Sequence, residues 1–452
     1  MALSTNPGWN RNAAALALAV AGLCGLAGAQ GMADWTRQAK LVLNTSATGA
    51  NVAGDVAKFP VAVRLTSANF DFTQAKPDGA DLRFTSEAGA ALPFEIEQWD
   101  AAGKTATVWV KTDVKGNNAT QAFNMHWGNA AATAAGDSKA VFSKEDGWVG
   151  VWHLNEAGNT TAGGYKDATA NEAHGTGTNL TAANTVACVT GRCPEFDNPS
   201  KRSINIGGEK AKLFNITQKI TFSIWVKAKS YAEAYVTMFA KGDKSWRVQM
   251  FGIYSWSSHN GKYLTEMCVQ TGQGDGACLE HHNDEVKPGQ WRLLTVVHDY
   301  PKTAYYIDMN KVTASPGGDW WSGEYDVGIG WQSQYKGRWY TGNLDEARVL
   351  NVPKDDNWVK LNLESQKPDS KWLEIKPTSV GLHRVASPAI LRKPLRVERY
   401  ALDGRLAASV AANGDASLER AALRSGLLPG VYVDRWVGEG GSVLRSARAV
   451  VD

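Results

Sequence analysis

The sequence predicts an all-β protein: two consecutive antiparallel β-sandwich domains followed by a small C-terminal β-sandwich. Apolar residues alternate with period two over strand-length runs, clusters of Gly, Asn, Asp and Pro separate those runs, and no helical repeat is sustained. At 452 residues the chain is too long for one core. Charge marks a boundary near residue 370. Lys371–Asp452 carries thirteen Lys/Arg against eight Asp/Glu, in a chain whose net charge is only +3. With no Lys/Arg block, nucleic acid has no support as a partner.

The N-terminus reads as a secretory leader. Arg11 precedes the apolar run Ala13–Ala29, which ends in Ala27-Gly28-Ala29, so cleavage after Ala29 is expected. That run falls short of the ~20 residues a spanning helix needs, and no later stretch spans either. The mature chain is expected to be secreted or held at the outer cell surface. Its four remaining cysteines allow three pairings, and proximity favours Cys188–Cys193 and Cys268–Cys278. Each such loop would contribute about 2–3 kcal/mol.

The first domain is placed at residues 30–145. Phe59–Leu65, Asp81–Phe84, Leu92–Glu97 and Ala106–Val110 are its strand-like runs. The order DLRFTSEAGAALPFEIEQWD (Asp81–Asp100), TATVWVKT (Thr105–Thr112) and NMHWGN (Asn124–Asn129) resembles the bacterial domain of unknown function 2341, a family that implies a fold but no activity.

The middle domain is placed at residues 146–368. It opens at Trp148–Glu156, runs through the β-branched and aromatic strands Ile220–Val226 and Trp291–Val297, and ends in Leu344-Asp345-Glu346-Ala347-Arg348-Val349. This succession resembles the laminin-G-like, concanavalin-A-like jelly rolls of secreted bacterial proteins. The resemblance implies a binding module for glycans or protein surfaces, with one structural calcium. Asp345, with Asp167 and Asn171 of the loop after the opening strand, are the candidate ligands; an Asx turn closing that loop is the alternative.

A linker over 369–393 leads to a third domain at 394–452. Its turns, Asp403-Gly404 and Pro429-Gly430, and its closing run Leu444–Val451 resemble the C-terminal sorting domain of type IX secretion cargo.

The chemistry expected is binding. Eighteen tryptophans are present, and Trp320, Trp321, Trp331, Trp339, Trp246 and Trp256 stand among Gly, Ser, Asp, Gln and Lys. Flat rings with polar neighbours suit the C–H face of a sugar, making these the candidate carbohydrate-binding residues. Glu95 and Glu97 share one face of a strand, roughly 6–7 Å apart, close to what a retaining glycosidase needs. Their alternation with Phe94 and Ile96 reads instead as a solvated face. Asp345 and Glu346, adjacent in a strand, are expected on opposite faces. His153, His281, His282 and His298 form no catalytic pattern, and neither a nucleophile elbow nor a phosphate loop is found. A lectin-like protein without catalysis is the expected function; a protein-binding adhesin and a glycoside hydrolase on the same fold are the alternatives.

Overall fold

The computed structural model describes residues 32–231, 235–242, 245–252, 264–269, 277–281, 286–315, 320, 322–377, 396–401, 405–411, 427–428, 430–437 and 443–451. The expected leader, Trp256, Trp321, His282 and residues 378–393 of the expected linker lie outside them. Nearly all the regular elements among the described residues are antiparallel β-strands, as the patterning predicts.

In the first domain a four-stranded sheet faces a three-stranded one. The first sheet runs Leu373–Pro377, Arg37–Leu43, Ala122–Trp127, Arg83–Ser86; the second runs Val56–Thr66, Thr105–Val114, Phe94–Asp100. Val61 pairs with Val110 and Val63 with Val108, and these side chains are fully buried. Pro60 is tolerated because its strand lies at a sheet edge, where a missing N–H breaks no interior ladder.

The strand Leu373–Pro377 corrects the domain division. It falls in the stretch read as linker, yet it pairs with Arg37–Leu43, so the chain returns from the middle domain to complete the first. The helix Asp356–Gln366 prepares this return. Asp355 caps it by accepting from the Trp358 N–H at 2.9 Å. Trp358 packs edge-on against Phe59. Ser365 Oγ accepts from the Ala62 N–H at 2.9 Å.

The middle domain packs an eight-stranded sheet on a seven-stranded one. In the larger sheet Lys219–Ala228 lies between Arg292–Asp299 and Gly342–Leu350, and Trp148–Trp152 pairs with the far edge of the last of these. The smaller sheet includes Thr237–Ala240, Arg247–Gly252 and Val327–Ile329. Phe222, Phe239, Val248, Ile329 and Val349 fill the space between. Both local disulfides form, with Cα–Cα distances of 5.7 Å for Cys188–Cys193 and 4.1 Å for Cys268–Cys278.

Where a small third sandwich was expected, the described residues form one four-stranded sheet, ordered Leu406–Ala411, Arg396–Ala401, Gly430–Val437, Val443–Val451. Arg399 meets Asp434 through two buried bonds of 2.6 and 2.8 Å, beside Val397 and Trp436.

Asp146 fastens the junction of the first two domains. It takes Lys111 and Lys58 at 2.9 Å each and the Ser143 hydroxyl at 2.7 Å. Burial opposes its ionisation, but these partners outweigh it and hold the carboxyl down to about 2. A carboxyl depressed below its unfolded value near 3.9 stabilises fully above that value and loses its contribution as pH falls through the folded one. The stability difference between wild type and Asp146→Asn is therefore expected to be constant above pH ~4 and to shrink towards pH ~2. Unfolding midpoints measured across that range check it.

Candidate functional site

A partly exposed aromatic face is built on the segment joining Val327–Ile329 to Gly342–Leu350. Gln332 and Gly337 bridge each other, making a small loop in which Lys336 and Arg338 adopt φ of 50° and 59°. The Thr237 N–H donates to Arg338 O at 2.9 Å and the Tyr340 N–H to Gly330 O at 2.9 Å, pinning the loop to the smaller sheet. Gly330 is required here: its φ is 76°, and a Cβ would come within 2.3 Å of the Phe196 ring.

On this platform Tyr335 is 54% exposed, and Trp331 and Trp339 are half-buried. The Arg338 guanidinium lies over Tyr335 at 4.4 Å and Tyr235 at 5.1 Å, and the Lys201 ammonium lies over Trp339 at 5.3 Å. Trp331 is anchored by its indole N–H, which donates to Ile204 O at 3.2 Å. Rings that keep part of their area exposed can stack on an apolar surface while neighbouring polar groups bond hydroxyls.

Two candidates from the sequence do not belong to this face. Trp246 is fully buried, donating to Phe214 O at 3.1 Å and packing on Phe222 and Phe239 at 4.7 and 5.1 Å. Trp320 is also buried, stacked on His298 at 3.9 Å. Polar sequence neighbours do not fix the side on which a ring packs.

The candidate calcium ligands have other roles. Asp167 is nearly buried, and N–H or O–H donors meet both its oxygens: Val151 N at 3.0 Å and Thr169 N at 2.9 Å on one, Thr169 Oγ1 at 2.8 Å and Ala173 N at 2.9 Å on the other. The Asn171 amide donates to Val149 O at 2.8 Å. These two close their loop upon itself, the Asx-type alternative. Asp345 instead accepts from the Thr190 N–H at 2.9 Å.

Asp345 belongs to a cluster that the sequence did not disclose. A bulge between the pairs Ser223–Arg348 and Trp225–Asp345, with Glu346 at φ 52°, breaks the alternation of Gly342–Leu350. Thr190 therefore reaches both carboxylates, its hydroxyl lying 2.9 Å from Glu346 Oε1, which corrects the expectation of opposite faces. Glu95 and Glu97 are not solvated. Their face is covered by the middle domain, leaving the side chains 15% and 0% exposed. His153, at the end of Trp148–Trp152, joins the two sets: Nδ1 lies 2.8 Å from Glu346 Oε1 and Nε2 3.2 Å from Glu95 Oε2. Arg348 donates to Glu346 Oε2 through Nε at 3.0 Å and Nη2 at 2.5 Å, with its guanidinium 4.2 Å over Trp109. Trp109 donates to Glu97 Oε2 at 2.7 Å and stacks on His153. The Cys188–Cys193 staple closes the short loop that presents Thr190.

Burial sets these groups against one another. It pushes the Glu97 carboxyl up to about 8, with Glu346 adding repulsion, and it drives Asp345 upward for the same two reasons. For Glu346 burial is outweighed by His153 and Arg348, which hold it down to about 2. For His153 desolvation is outweighed by the carboxylates of Glu346, Glu95 and Glu97, which raise it well above its ordinary value. A polysaccharide cannot reach carboxylates enclosed in this way, so the pairing considered for glycoside hydrolysis is placed in a seam between domains.

A separate surface cavity of about 530 Å³ lies on Arg292–Asp299, Lys302–Ile307 and Asn310–Ala314. Lys311 on its wall is paired with Asp356 at 2.8 Å, and the Tyr306 hydroxyl donates to the same carboxylate.

No curated protein matches the chain. Solved structures similar to it include the binding domain of Paraclostridial Mosquitocidal Protein 1, at 11% identity over 49% of this chain and 53% of that one, with a TM-score of 0.38. The chain thus spans about half the length of that protein. Domain 4 of AbnA, a GH43 extracellular arabinanase from Geobacillus stearothermophilus solved with arabinotriose, is 15% identical over 48% of this chain and 97% of its own, with a TM-score of 0.35. The Ruminococcus gnavus IT-sialidase CBM40, bound to α2,3-sialyllactose, is 11% identical over 36% and 92%, with a TM-score of 0.29. Residues 78–155 match the model of the family Domain of unknown function (DUF2341), and residues 201–360 match that of the Concanavalin A-like lectin/glucanases superfamily.

Proposed function

We propose that this protein is exported and binds a polysaccharide through the aromatic face of its middle domain, without catalysis of its own. The exposed ring of Tyr335 and the partly exposed rings of Trp331 and Trp339, with Arg338 over the first and Lys201 over the last, carry this reading. The match of residues 201–360 to a lectin and glucanase superfamily supports it. Two disulfides fit an oxidising destination. Among the described residues no helix is long and apolar enough to cross a membrane. In this reading the leader is removed, and the C-terminal sheet serves as the type IX sorting address.

The test is binding of the full chain to a panel of soluble and insoluble polysaccharides, beside a Tyr335→Ala/Trp339→Ala variant. Each ring is worth about 0.5–1.5 kcal/mol of stacking, so the variant is expected to bind about 10–100-fold more weakly at unchanged thermal stability. Repeating the titration in EGTA reads any calcium requirement. Absence of saturable binding to every glycan overturns the proposal in favour of an adhesin that meets another protein.

A further inference from the structure

We propose that Glu97, His153 and Glu346 form a buried site for one divalent transition-metal cation of the zinc class, set in the seam between the first and middle domains. One ligand atom from each lies within 4.8 Å of the other two. A tetrahedral ion with bonds near 2.0–2.2 Å holds its ligand atoms about 3.3 Å apart. His153 Nδ1 stands 2.8 Å from Glu346 Oε1 and 3.8 Å from Glu97 Oε2, which straddles that spacing. The other ring nitrogen is held by Glu95, the carboxylate–imidazole arrangement that orients a ligating histidine.

Two further observations point to a cation. Glu97 Oε1 and Asp345 Oδ1 are buried and have no hydrogen-bond partner among the described residues. Such oxygens are costly to enclose unless something positive meets them. Charge points the same way once the imidazole ligates as a neutral ring: the carboxylates of Glu95, Glu97, Asp345 and Glu346 then face Arg348 and the half-buried Arg64, an excess of two negative charges that protons, the one on His153 among them, offset in the metal-free seam. One dication at Nδ1, in place of the imidazole proton, neutralises them. One imidazole with carboxylates suits zinc or cobalt better than calcium, which takes six to eight oxygens. Among the described residues the other near approach of donors, Glu266 with Cys268 and Cys278, offers no thiolate because those sulfurs are bonded to each other.

The experiment uses the full chain, stripped by a strong chelator and titrated with Co²⁺ as a spectroscopic probe, then with Zn²⁺. One cobalt per chain with visible bands, displaced by one zinc and raising the thermal midpoint, is expected. His153→Gln should abolish the bands. Glu95→Gln, which removes only the orienting partner, should weaken binding about 10–100-fold. The proposal is overturned if the folded wild type gives no bands and no zinc-dependent shift, or if His153→Gln binds like wild type. Should His153→Gln not fold, undiminished affinity in Glu95→Gln overturns it equally.

Discussion

Replacing Arg348 by alanine is expected to destabilise the protein by about 3–5 kcal/mol, the cost of leaving one member of a buried ion pair without the other. Arg348 is fully buried and gives both its nearest donors to Glu346. Without it Glu346 keeps only His153 and Thr190, in a seam that already holds Glu95, Glu97 and Asp345. The guanidinium also covers Trp109 at 4.2 Å, so its loss opens a void beside an indole. For a domain of 150–250 residues the thermal midpoint should fall by roughly 6–20 °C. A double variant, Glu346→Gln/Arg348→Ala, isolates the charge term. Removing the orphaned charge should restore part of the stability, so the double variant is expected to lose less than the sum of the single ones. A purely additive result in denaturation midpoints would mean that Arg348 acts only as packing.

The contrast between what was readable in the chain and what was not has a physical origin. Val56–Thr66, Thr105–Val114 and Lys219–Ala228 are local objects: alternation or continuous apolarity within ten residues decides them, and the structure has strands there. The cluster around His153 is assembled from Phe94–Asp100, Trp148–Trp152, the Cys188–Cys193 loop and Gly342–Leu350, elements up to 250 residues apart in order of magnitude, and no spacing rule reaches so far. Alternation put Glu95 and Glu97 together correctly but could not say that a second domain covers their face. For Asp345 and Glu346 it failed outright, because period two holds only while the ladder is regular, and Glu346 lies in the bulge between the pairs Trp225–Asp345 and Ser223–Arg348. The return strand Leu373–Pro377 was hidden for a related reason: a five-residue strand beside a charged segment shows its pairing only through its partner. The aromatic face was legible in part. Polar neighbours around Trp331 and Trp339 marked a turn-rich surface segment, and those rings do keep exposed area.

Trp246→Ala is expected to cost about 3–5 kcal/mol, the range for truncating a buried tryptophan, and so separates the two meanings that a tryptophan among polar neighbours can have. Its indole is fully enclosed, with Phe222 and Phe239 at 4.7 and 5.1 Å and its N–H spent on Phe214 O. Truncation leaves a ring-sized cavity between the two sheets and an unpaired carbonyl, and neither sheet can close over it without moving its strands. Trp339→Ala should do the reverse. That ring is half-buried under the Lys201 ammonium, so its loss should leave the unfolding midpoint nearly unchanged while weakening glycan binding. Chemical denaturation of both variants beside a binding titration distinguishes the roles: stability should fall only for Trp246, and affinity at full folding only for Trp339. An equal loss of affinity in a fully folded Trp246→Ala protein would place that ring at the ligand and move the binding face from the 330–340 loop into the sheet beneath it.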